Sequence, residues 1–300
     1  MRLPLSALYL VCLCLASLRS VAAFIAAGRQ GMSATLIGTS VYIYGGGITY
    51  NGLGTQDLLI LSVDLAFNLS SPAWAPISGY STYGPSLIGQ ASTPGGPNNT
   101  HLIIFGGDPL TQLDPLYIYD PDNDYWSNPP LKSTSGAIPG NRDSLTAVTR
   151  LDDGMVFLYG GEGGLNDTVI YNELYSYDSI YGQWALLSSA PSARQAHSAT
   201  MLVDGRIVII GGADASGTIP LNIVWLYDTT SGNWTVLNTT GIIPPPRLSH
   251  TSVANFANHV IVYGGEDGNT LIYNDTWVLD MSLTIPQWWV PSISGTPPVG

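Results

Sequence analysis

The chain has 300 residues, of which 21 are acidic and only 9 are Lys or Arg, so its formal net charge at neutral pH is −12. Nucleic-acid binding depends on clustered basic side chains that displace counterions, and a chain whose only lysine is Lys132 has no such stripe. The charge balance therefore excludes nucleic acid as a partner and disfavours anionic lipid, while the length is enough to bury a large core without disulfides.

The first 23 residues have the features of a secretory signal peptide. Arg2 precedes an apolar run over residues 3–18, and the small residues Ala22 and Ala23 offer a cleavage site. A membrane anchor is the alternative, but the run is shorter than the roughly 20 residues of a membrane span. We expect cleavage after Ala23, which places both cysteines, Cys12 and Cys14, in the removed segment. No later stretch, from residue 24 to 300, is apolar and long enough to span a membrane.

From residue 29 onward the sequence contains five copies of one repeat. Each copy has an apolar run, a glycine pair, a second run that ends in aspartate, and a trailing tryptophan. The first glycines of successive pairs are 61, 54, 51 and 53 residues apart, and such a period predicts an array of equivalent units that bury their apolar faces against each other. The glycines are Gly45, Gly46, Gly106, Gly107, Gly160, Gly161, Gly211, Gly212, Gly264 and Gly265, and the tryptophans are Trp74, Trp126, Trp184, Trp234 and Trp288.

Each copy predicts four β-strands. The first has small polar residues, which suit the crowded axis of a radial array. The second is apolar on both faces, as expected for a strand between two neighbouring sheets, and the glycine pair after it is predicted to allow a sharp turn and a close backbone approach. The third carries an aromatic residue, and the fourth begins at the tryptophan. The second copy departs from the pattern: it starts near Gly84, its first strand is expected within residues 87–92, and residues 93–100 are expected to form a loop insertion.

This pattern resembles the kelch repeat. The resemblance implies an all-β, kelch-type β-propeller over residues 24–292, with five four-stranded blades visible, at about 29–77, 84–131, 142–188, 194–238 and 247–291. Kelch propellers mostly have six or seven blades. Residues 293–300 are similar to the approach to the fifth copy at 239–246, so we expect a linker toward a missing sixth blade, in a chain that is a fragment; a complete five-bladed ring is the alternative.

An arginine starts four of the five copies. In kelch adaptor proteins the matching arginines line the mouth of the central channel and grip acidic peptide motifs, so the resemblance implies a ligand site whose guanidinium groups suit carboxylates. The alternative is that each arginine pairs with a carboxylate of its own or the next blade. His197 and His250 are expected to hydrogen-bond backbone between strands. The candidate ligand-binding residues are Arg29, Arg142, Arg194 and Arg247.

No metal site is predicted. Asp120, Asp122 and Asp124 open like a calcium-binding loop, but Tyr125 and Leu131 occupy the positions that need glycine and glutamate.

No cofactor and no catalytic residue are predicted either. Copper-radical galactose oxidases share the kelch fold, but their cofactor includes a cysteine that the mature chain would lack. The E-x-x-x-D-x-x-x-H motif of the iron-dependent specifier proteins is absent, as are G-x-S-x-G and H-E-x-x-H. A kelch-type sugar epimerase stays open as an alternative.

Six N-x-[ST] sequons suit N-glycosylation of a secreted chain. Asn233 is adjacent to Trp234 and is expected to be too enclosed; the other five are Asn68, Asn98, Asn166, Asn238 and Asn274. We expect a secreted or cell-surface binding scaffold that recognises a protein or a glycan through its propeller loops. A carbohydrate-active enzyme and the ectodomain of a membrane-anchored receptor are the alternatives.

Overall fold

A computed structural model describes residues 26–49, 52–66, 72–77, 84–107, 114–163 and 169–294. The fold is an all-β propeller arrangement with five blades, each built on four antiparallel strands in chain order, which confirms the predicted fold class. The predicted signal peptide, the sequons at Asn68 and Asn166, and residues 295–300 lie outside the described residues. Within the described ranges, no helix has the length and hydropathy that a membrane span requires.

The strands of each blade follow the order expected from the repeat. Blade one contains β1 (Ser33–Ile37), β2 (Ser40–Tyr44), β3 (Leu58–Ser62) and β4 (Ala75–Pro76). Blade two contains β5 (Ala91–Gly95), a 3-10 turn (Pro97–Asn99), β6 (His101–Phe105), β7 (Leu116–Asp120) and β8 (Tyr125–Ser127). The region of blade three contains β9 (Lys132–Ser133), β10 (Arg142–Asp143), β11 (Thr146–Arg150), β12 (Met155–Tyr159), β13 (Glu162–Gly163), β14 (Leu174–Asp178) and β15 (Gln183–Leu186).

The last two blades are built in the same way. Blade four contains β16 (Ser198–Met201), β17 (Arg206–Ile210), β18 (Ala213–Asp214), β19 (Gly217–Thr218), β20 (Ile223–Asp228) and β21 (Asn233–Asn238). Blade five contains β22 (Thr240–Gly241), β23 (Thr251–Ala254), β24 (His259–Tyr263), β25 (Thr276–Asp280) and β26 (Gln287–Trp289). The short strands β9 and β22 each add a parallel partner to the outermost strand of blades three and five, so each ties its blade to the chain segment that leaves the preceding one.

The first strands of the blades lie side by side around the axis. β1, β5, β11, β16 and β23 contact each other in that order. Hydroxyl groups join them in pairs across the blade boundaries: Thr35 to Ser92 at 2.6 Å, Thr93 to Thr149 at 2.8 Å and Thr200 to Ser252 at 2.5 Å. The small polar residues of the first strands therefore do more than fit a crowded space, because they hydrogen-bond one blade to the next.

The apolar core lies between blades. The second strands are buried on both faces in blades two, three and four, as the sequence predicts for a strand enclosed by two sheets. Separate clusters fill the spaces between successive blades. The boundary of blades four and five, for example, contains Val208, Ile210, Val260, Val262 and Trp288.

The prediction for the first strand of blade two was wrong. β5 covers Ala91–Gly95 and pairs Pro94 with Leu102, so the strand extends into the segment expected to be a loop, and the turn begins only at Gly96. Proline lacks an amide donor, but β5 is the innermost strand of its sheet and has one sheet partner; an edge strand tolerates proline.

Candidate functional site

Each arginine at the start of a repeat lies at the corner where its blade begins, and its guanidinium is held by the same contact in all four cases. Nη1 donates to the carbonyl of the first glycine of the pair in its own blade. The donor-acceptor distances are 3.1 Å for Arg29 to Gly45, 3.3 Å for Arg142 to Gly160, 2.9 Å for Arg194 to Gly211 and 2.9 Å for Arg247 to Gly264.

In blades one to four, the second glycine of the pair joins its blade to the next one. Its amide donates to the carbonyl of the next corner residue, from Gly107 to Arg142 at 2.9 Å, Gly161 to Arg194 at 2.8 Å and Gly212 to Arg247 at 3.0 Å. The paired glycines have positive φ. A Cβ on Gly211 would lie 2.6 Å from the Arg247 carbonyl oxygen, so both the conformation and the close approach require glycine.

Blade two replaces both corner residues. Gly46 donates to the carbonyl of Leu87 at 2.9 Å, so Leu87, rather than the predicted Gly84, is the corner residue of this blade. Gln90 stands where blades four and five have histidine, and its side chain donates to the Tyr44 carbonyl at 2.7 Å. The sequence signal for this pair was the spacing of three residues that also separates Arg194 from His197.

Three of the four arginines form an ion pair with a carboxylate of their own blade. The acidic residue directly precedes the third strand in each case. The nitrogen-oxygen distances are 3.2 Å for Arg29 to Asp57, 2.8 Å for Arg142 to Glu173 and 2.7 Å for Arg247 to Asp275.

The most complete corner is that of blade five. Arg247 is fully buried and forms a second contact to Asp275, from Nη2 at 3.1 Å, which makes the pair bidentate. Burial by itself would raise the pKa of Asp275, but hydrogen bonds from Arg247 and from the Trp277 indole outweigh it and hold the pKa below its ordinary value. The arginine also lies over the Tyr273 ring, 4.3 Å from its centroid.

Arg194 in blade four differs from the other three. Its residue is 1% exposed and its guanidinium lies 3.7 Å above the centroid of the Trp225 ring. The position before the third strand is Asn222, so the matching carboxylate is missing. Among the described residues, no acidic group forms an ion pair with Arg194, and its Nε has no hydrogen-bond partner. Burial lowers the pKa of Arg194 to about 10, because a buried charge without a close counter-charge is costly.

A cavity of about 280 Å³ lies against this arginine. Asn222, Trp225 and Ser192 line it, together with Asp214 and Thr218 of the loop that follows the glycine pair. Asp214 is near enough to favour the charged form of Arg194, although the two side chains do not form an ion pair. The cavity therefore brings one buried cation, one indole ring and several polar side chains together.

His197 and His250 hydrogen-bond side chains across the blade boundary, and the expectation of backbone bonds was wrong. Nε2 of His197 lies 2.8 Å from the Thr146 hydroxyl, and Nε2 of His250 lies 2.8 Å from the Ser198 hydroxyl. Burial is the main cause that lowers the pKa of both rings; the pKa of His250 falls to about 3, to which Arg247 contributes, and that of His197 falls well below its ordinary value. Both rings are therefore neutral near pH 7.

The acidic run of blade two forms a turn. The Asp120 carboxylate accepts the backbone amides of Asp122 and Asn123 at 3.0 and 3.3 Å, and the side-chain amide of Asn123 at 2.7 Å. In the ranges that the structure describes, no group of three or more His, Cys, Asp and Glu residues could hold a metal ion.

The tryptophans and the described sequons are spread over the blades. Trp184 and Trp288 are fully buried, whereas Trp74, Trp126 and Trp234 are half-buried. The sequon asparagines Asn98, Asn233, Asn238 and Asn274 are all exposed. The expectation that Asn233 is enclosed was therefore wrong, because this residue begins β21, the outermost strand of blade four, where it is exposed.

A row of exposed apolar side chains was missed by the sequence reading. Leu151, Val203 and Phe256 occupy the turns between the first and second strands of blades three, four and five, and are 61%, 64% and 98% exposed. The Val203 amide donates to the Asn258 side chain at 3.0 Å, so two of these turns are in direct contact. We call Leu151, Val203 and Phe256 the inner-turn rim.

The rim lies on the opposite end of the blades from the corner arginines. The rim turns lead into the start of each second strand, whereas the glycine pair that each arginine contacts follows the end of that strand. Repeated apolar residues at turn tips were visible in the sequence, but nothing there showed that the turns of blades four and five are in contact.

Comparisons with known proteins agree with this architecture. A family profile described as the KLHDC2/KLHL20/DRC7 Kelch-repeats domain matches residues 97–300. The chain is 32% identical over 149 residues to the dynein alpha chain of the flagellar outer arm from Chlamydomonas reinhardtii, covering 47% of this chain and 3% of that protein. It is 30% identical over 223 residues to host cell factor from Drosophila melanogaster, covering 66% of this chain and 14% of that protein.

A third relative, kelch domain-containing protein 3 from Rattus norvegicus, is 27% identical over 271 residues, which cover 83% of this chain and 67% of the relative. The chain thus spans only a small part of the first two relatives.

Proposed function

The chain belongs to the kelch-repeat family, and from that premise we propose that it is a secreted or cell-surface scaffold that binds a protein partner on the inner-turn rim. The proposal rests on one observation, the row of Leu151, Val203 and Phe256 on the turns at the same end of three successive blades. Large apolar side chains at contiguous exposed positions mark interaction surfaces more often than single ones do, and aromatic residues are enriched among the energetically important contacts of interfaces.

The scaffold beneath the rim is suited to such a role. The three turns project from first strands that contact each other around the axis, and loops on a rigid support commonly carry binding. Asp152 lies directly beside Leu151 in the sequence, whereas the Asp204 carboxylate beside Val203 is paired with Arg206 at 2.7 Å. We therefore expect the partner to present an apolar centre with a basic side chain toward blade three.

Secretion is part of this proposal and is supported by the N-terminal sequence alone. A glycan on Asn98 would lie beside the rim, because the neighbouring Asn99 side chain donates to the Leu151 carbonyl at 2.8 Å. We therefore expect the partner to dock toward blades three to five rather than over blade two.

The binding proposal is tested with a rim variant that carries Val203→Ser and Phe256→Ser. The control is Val236→Ser, which removes another exposed valine, 51% exposed against 64% for Val203, from the outer strand β21. Partners that crosslink to the folded chain are identified by mass spectrometry. We expect a protein that is captured by the wild type and the control, and reduced at least tenfold in the rim variant.

Two outcomes would contradict the proposal. Equal capture by all three proteins would show that the rim is not the binding surface. Saturable binding on a glycan array, undiminished by the rim substitutions, would make a carbohydrate the ligand instead.

The location is tested separately by expressing the full chain in a eukaryotic secretory cell. We expect it in the medium with Phe24 as the first residue and with a mass that decreases on enzymatic removal of N-glycans. Retention in the cytosol with residues 1–23 intact would overturn the secreted location and leave the rim proposal to its own test.

A further inference from the structure

We propose that the outer edge of β21 in blade four binds an extended segment of a protein partner, which adds to the blade as a fifth, parallel strand and directs apolar side chains toward the cavity beside Leu237. This inference goes beyond the scaffold function and does not depend on it. β21 is the outermost strand of its blade, whereas the inner-turn rim consists of turns between first and second strands.

The two neighbouring blades show what the outer edge of a fourth strand binds in this fold. β9 pairs in parallel with β15, and β22 pairs in parallel with β26. In both cases the amide after the added strand donates to the carbonyl of the repeat tryptophan, from Thr134 to Trp184 at 2.8 Å and from Ile242 to Trp288 at 3.2 Å. Among the described residues, no strand pairs with the corresponding edge of blade four, at Trp234.

The chain segment that enters blade four is bonded elsewhere. The Leu187 and Ala190 amides donate to carbonyls of blade three at 2.8 and 2.9 Å. The Ser188 carbonyl accepts the Trp234 indole at 3.1 Å, so this segment meets β21 through a side chain and not as a strand. A partner is therefore needed to fill the edge that β9 and β22 fill in the neighbouring blades.

β21 has the backbone and the composition of an unprotected edge strand. The Thr239 amide donates to the Asn222 carbonyl. Because hydrogen-bonded and non-hydrogen-bonded pairs alternate along an antiparallel ladder, the backbone groups of Trp234, Val236 and Asn238 point outward. β21 has six residues against three in β8, and it contains neither proline nor a charged residue, the features that protect natural edge strands from unwanted pairing.

A cavity of about 440 Å³ lies beside β21, in the space between blades four and five. Thr235 and Leu237 line it from β21, and Met281, Leu283 and Pro286 line it from the segment between β25 and β26. Side chains alternate along a strand, so every second residue of an added strand would face this cavity. The volume is within the range of roughly 300–1,000 Å³ for binding pockets, and added strands gain specificity from pockets for alternate side chains.

The charged groups at this cavity are already engaged. Arg206 forms an ion pair with Asp204 at 2.7 Å, and Asp228 Oδ1 accepts two backbone amides of its own turn at 2.8 and 3.2 Å. Leu283, by contrast, is 45% exposed and offers apolar surface. We therefore expect the partner to place apolar side chains here rather than charged ones.

The probe is the peptide acetyl-KTLTLTK-amide, whose leucines occupy alternate positions. In a parallel strand with its leucines on the cavity side, the leucine amides point to β21 and the threonine amides point away. Binding is followed by NMR of the backbone amides of the intact, isotope-labelled chain, produced in bacteria so that Asn233 and Asn238 carry no glycan. We expect a saturable shift of the Asn238 signal.

Two modified peptides and one altered peptide test the geometry. N-methylation of both leucine amides should weaken binding about tenfold or more, because it removes two donors and adds bulk where the strands meet, whereas N-methylation of two threonine amides should change it less than about twofold. Replacing both leucines with serine should also weaken binding about tenfold, since the cavity then loses its apolar occupant.

Val236→Pro is the central variant of the chain. It removes one outward amide of β21, and an edge strand tolerates proline where the amide faces away from its sheet. Val236→Ser is the matched control, because it changes the same side chain and keeps the amide. We expect peptide binding to weaken about tenfold in Val236→Pro and to change less than about twofold in Val236→Ser.

The absence of a saturable shift would overturn the site. So would equal effects of the two sets of N-methyl groups, an unchanged affinity in Val236→Pro, or equal binding of the serine peptide. A second copy of the chain is the other candidate occupant, but two-fold symmetry would bring β21 against itself in antiparallel orientation, unlike the covered edges. Dimers that form with rising concentration and are abolished by Val236→Pro would overturn the assignment to a partner segment.

Discussion

Blades four and five are built from the same repeat, yet their second strands end in different surroundings. In blade four, Val208 and Ile210 on one face and Ile207 and Ile209 on the other are all buried. In blade five, Val260 and Val262 are buried against blade four, whereas Ile261 on the other face is 38% exposed. The two strands are equally apolar in sequence. Burial of the second face is therefore decided by whether a neighbouring sheet covers it.

The arginine corners show the opposite difference: the corner of blade five has its carboxylate partner, and that of blade four lacks one. Arg247 of blade five has a bidentate carboxylate partner, Asp275. Arg194 of blade four, whose sheet is covered on both faces, has none among the described residues. Burial of the second strand and pairing of the corner arginine are thus independent. Adjacent blades bury the strand, whereas a single residue before the third strand supplies the carboxylate.

The largest expected difference is that between Ile210→Ala and Ile261→Ala. The two isoleucines lie on the same face of their sheets, but only Ile210 is fully buried. We expect Ile210→Ala to lower the free energy of unfolding by about 2–5 kcal/mol, the range for a fully buried isoleucine, and Ile261→Ala by less than about 1 kcal/mol. Denaturant unfolding of the 300-residue chain measures both. Equal losses would show that the exposed face of blade five is covered in solution.

A smaller effect is expected from Asp275→Asn. This substitution leaves the fully buried Arg247 without its charge partner, as Arg194 is in blade four. Because Asp275 itself is partly exposed, we expect a loss of about 1–2 kcal/mol in the free energy of unfolding, less than for a fully buried pair. The reverse change is Asn222→Asp, which supplies blade four with the carboxylate that Arg194 lacks. We expect it to raise the melting temperature. An unchanged free energy of unfolding in Asp275→Asn would show that the charge partner of the corner arginine does not stabilise the fold.

The smallest effect is a pH slope that the boundary between the two blades contributes. His250 has a folded-state pKa of about 3 against an ordinary value of 6.5, so below pH 6.5 only the unfolded chain takes up its proton. Stability is then lost as the pH falls toward 3, by about 1 kcal/mol between pH 6 and pH 5.

His197 is lowered in the same direction, so His250→Gln should about halve the part of the slope that the two histidines cause. Urea unfolding at a series of pH values measures it. A slope that is unchanged in His250→Gln would mean that His250 becomes protonated in the folded chain as readily as in the unfolded one.

The repeat made much of the fold predictable. The glycine pairs, the apolar runs before them and the aspartates that close the third strands predict the blades, and the structure has five. The first strand of blade two was mislocated because Pro94 and Gly95 are typical of loops, whereas an innermost strand accepts them.

The candidate site was predictable in part. The sequence placed an arginine at four corners, and the residue before each third strand, Asp57, Glu173, Asn222 or Asp275, already distinguished blade four. The sequence does not show that this residue lies against the arginine of its blade, since the two are separated by 28 to 31 positions. Only the structure shows the contact. The partners of His197 and His250 were missed for the same reason, because they belong to the preceding blade.

The sequence by itself determined the unit: a four-stranded sheet with glycine where the backbone takes positive φ and with apolar residues where two sheets meet. These are local requirements of backbone conformation and of water exclusion, so they are written in each repeat. Only the tertiary structure decided that the residue before the third strand pairs with the arginine, which apolar face stays exposed and which turns are in contact. Those properties depend on distances between different blades, and on the high free-energy cost of leaving a buried charge unpaired.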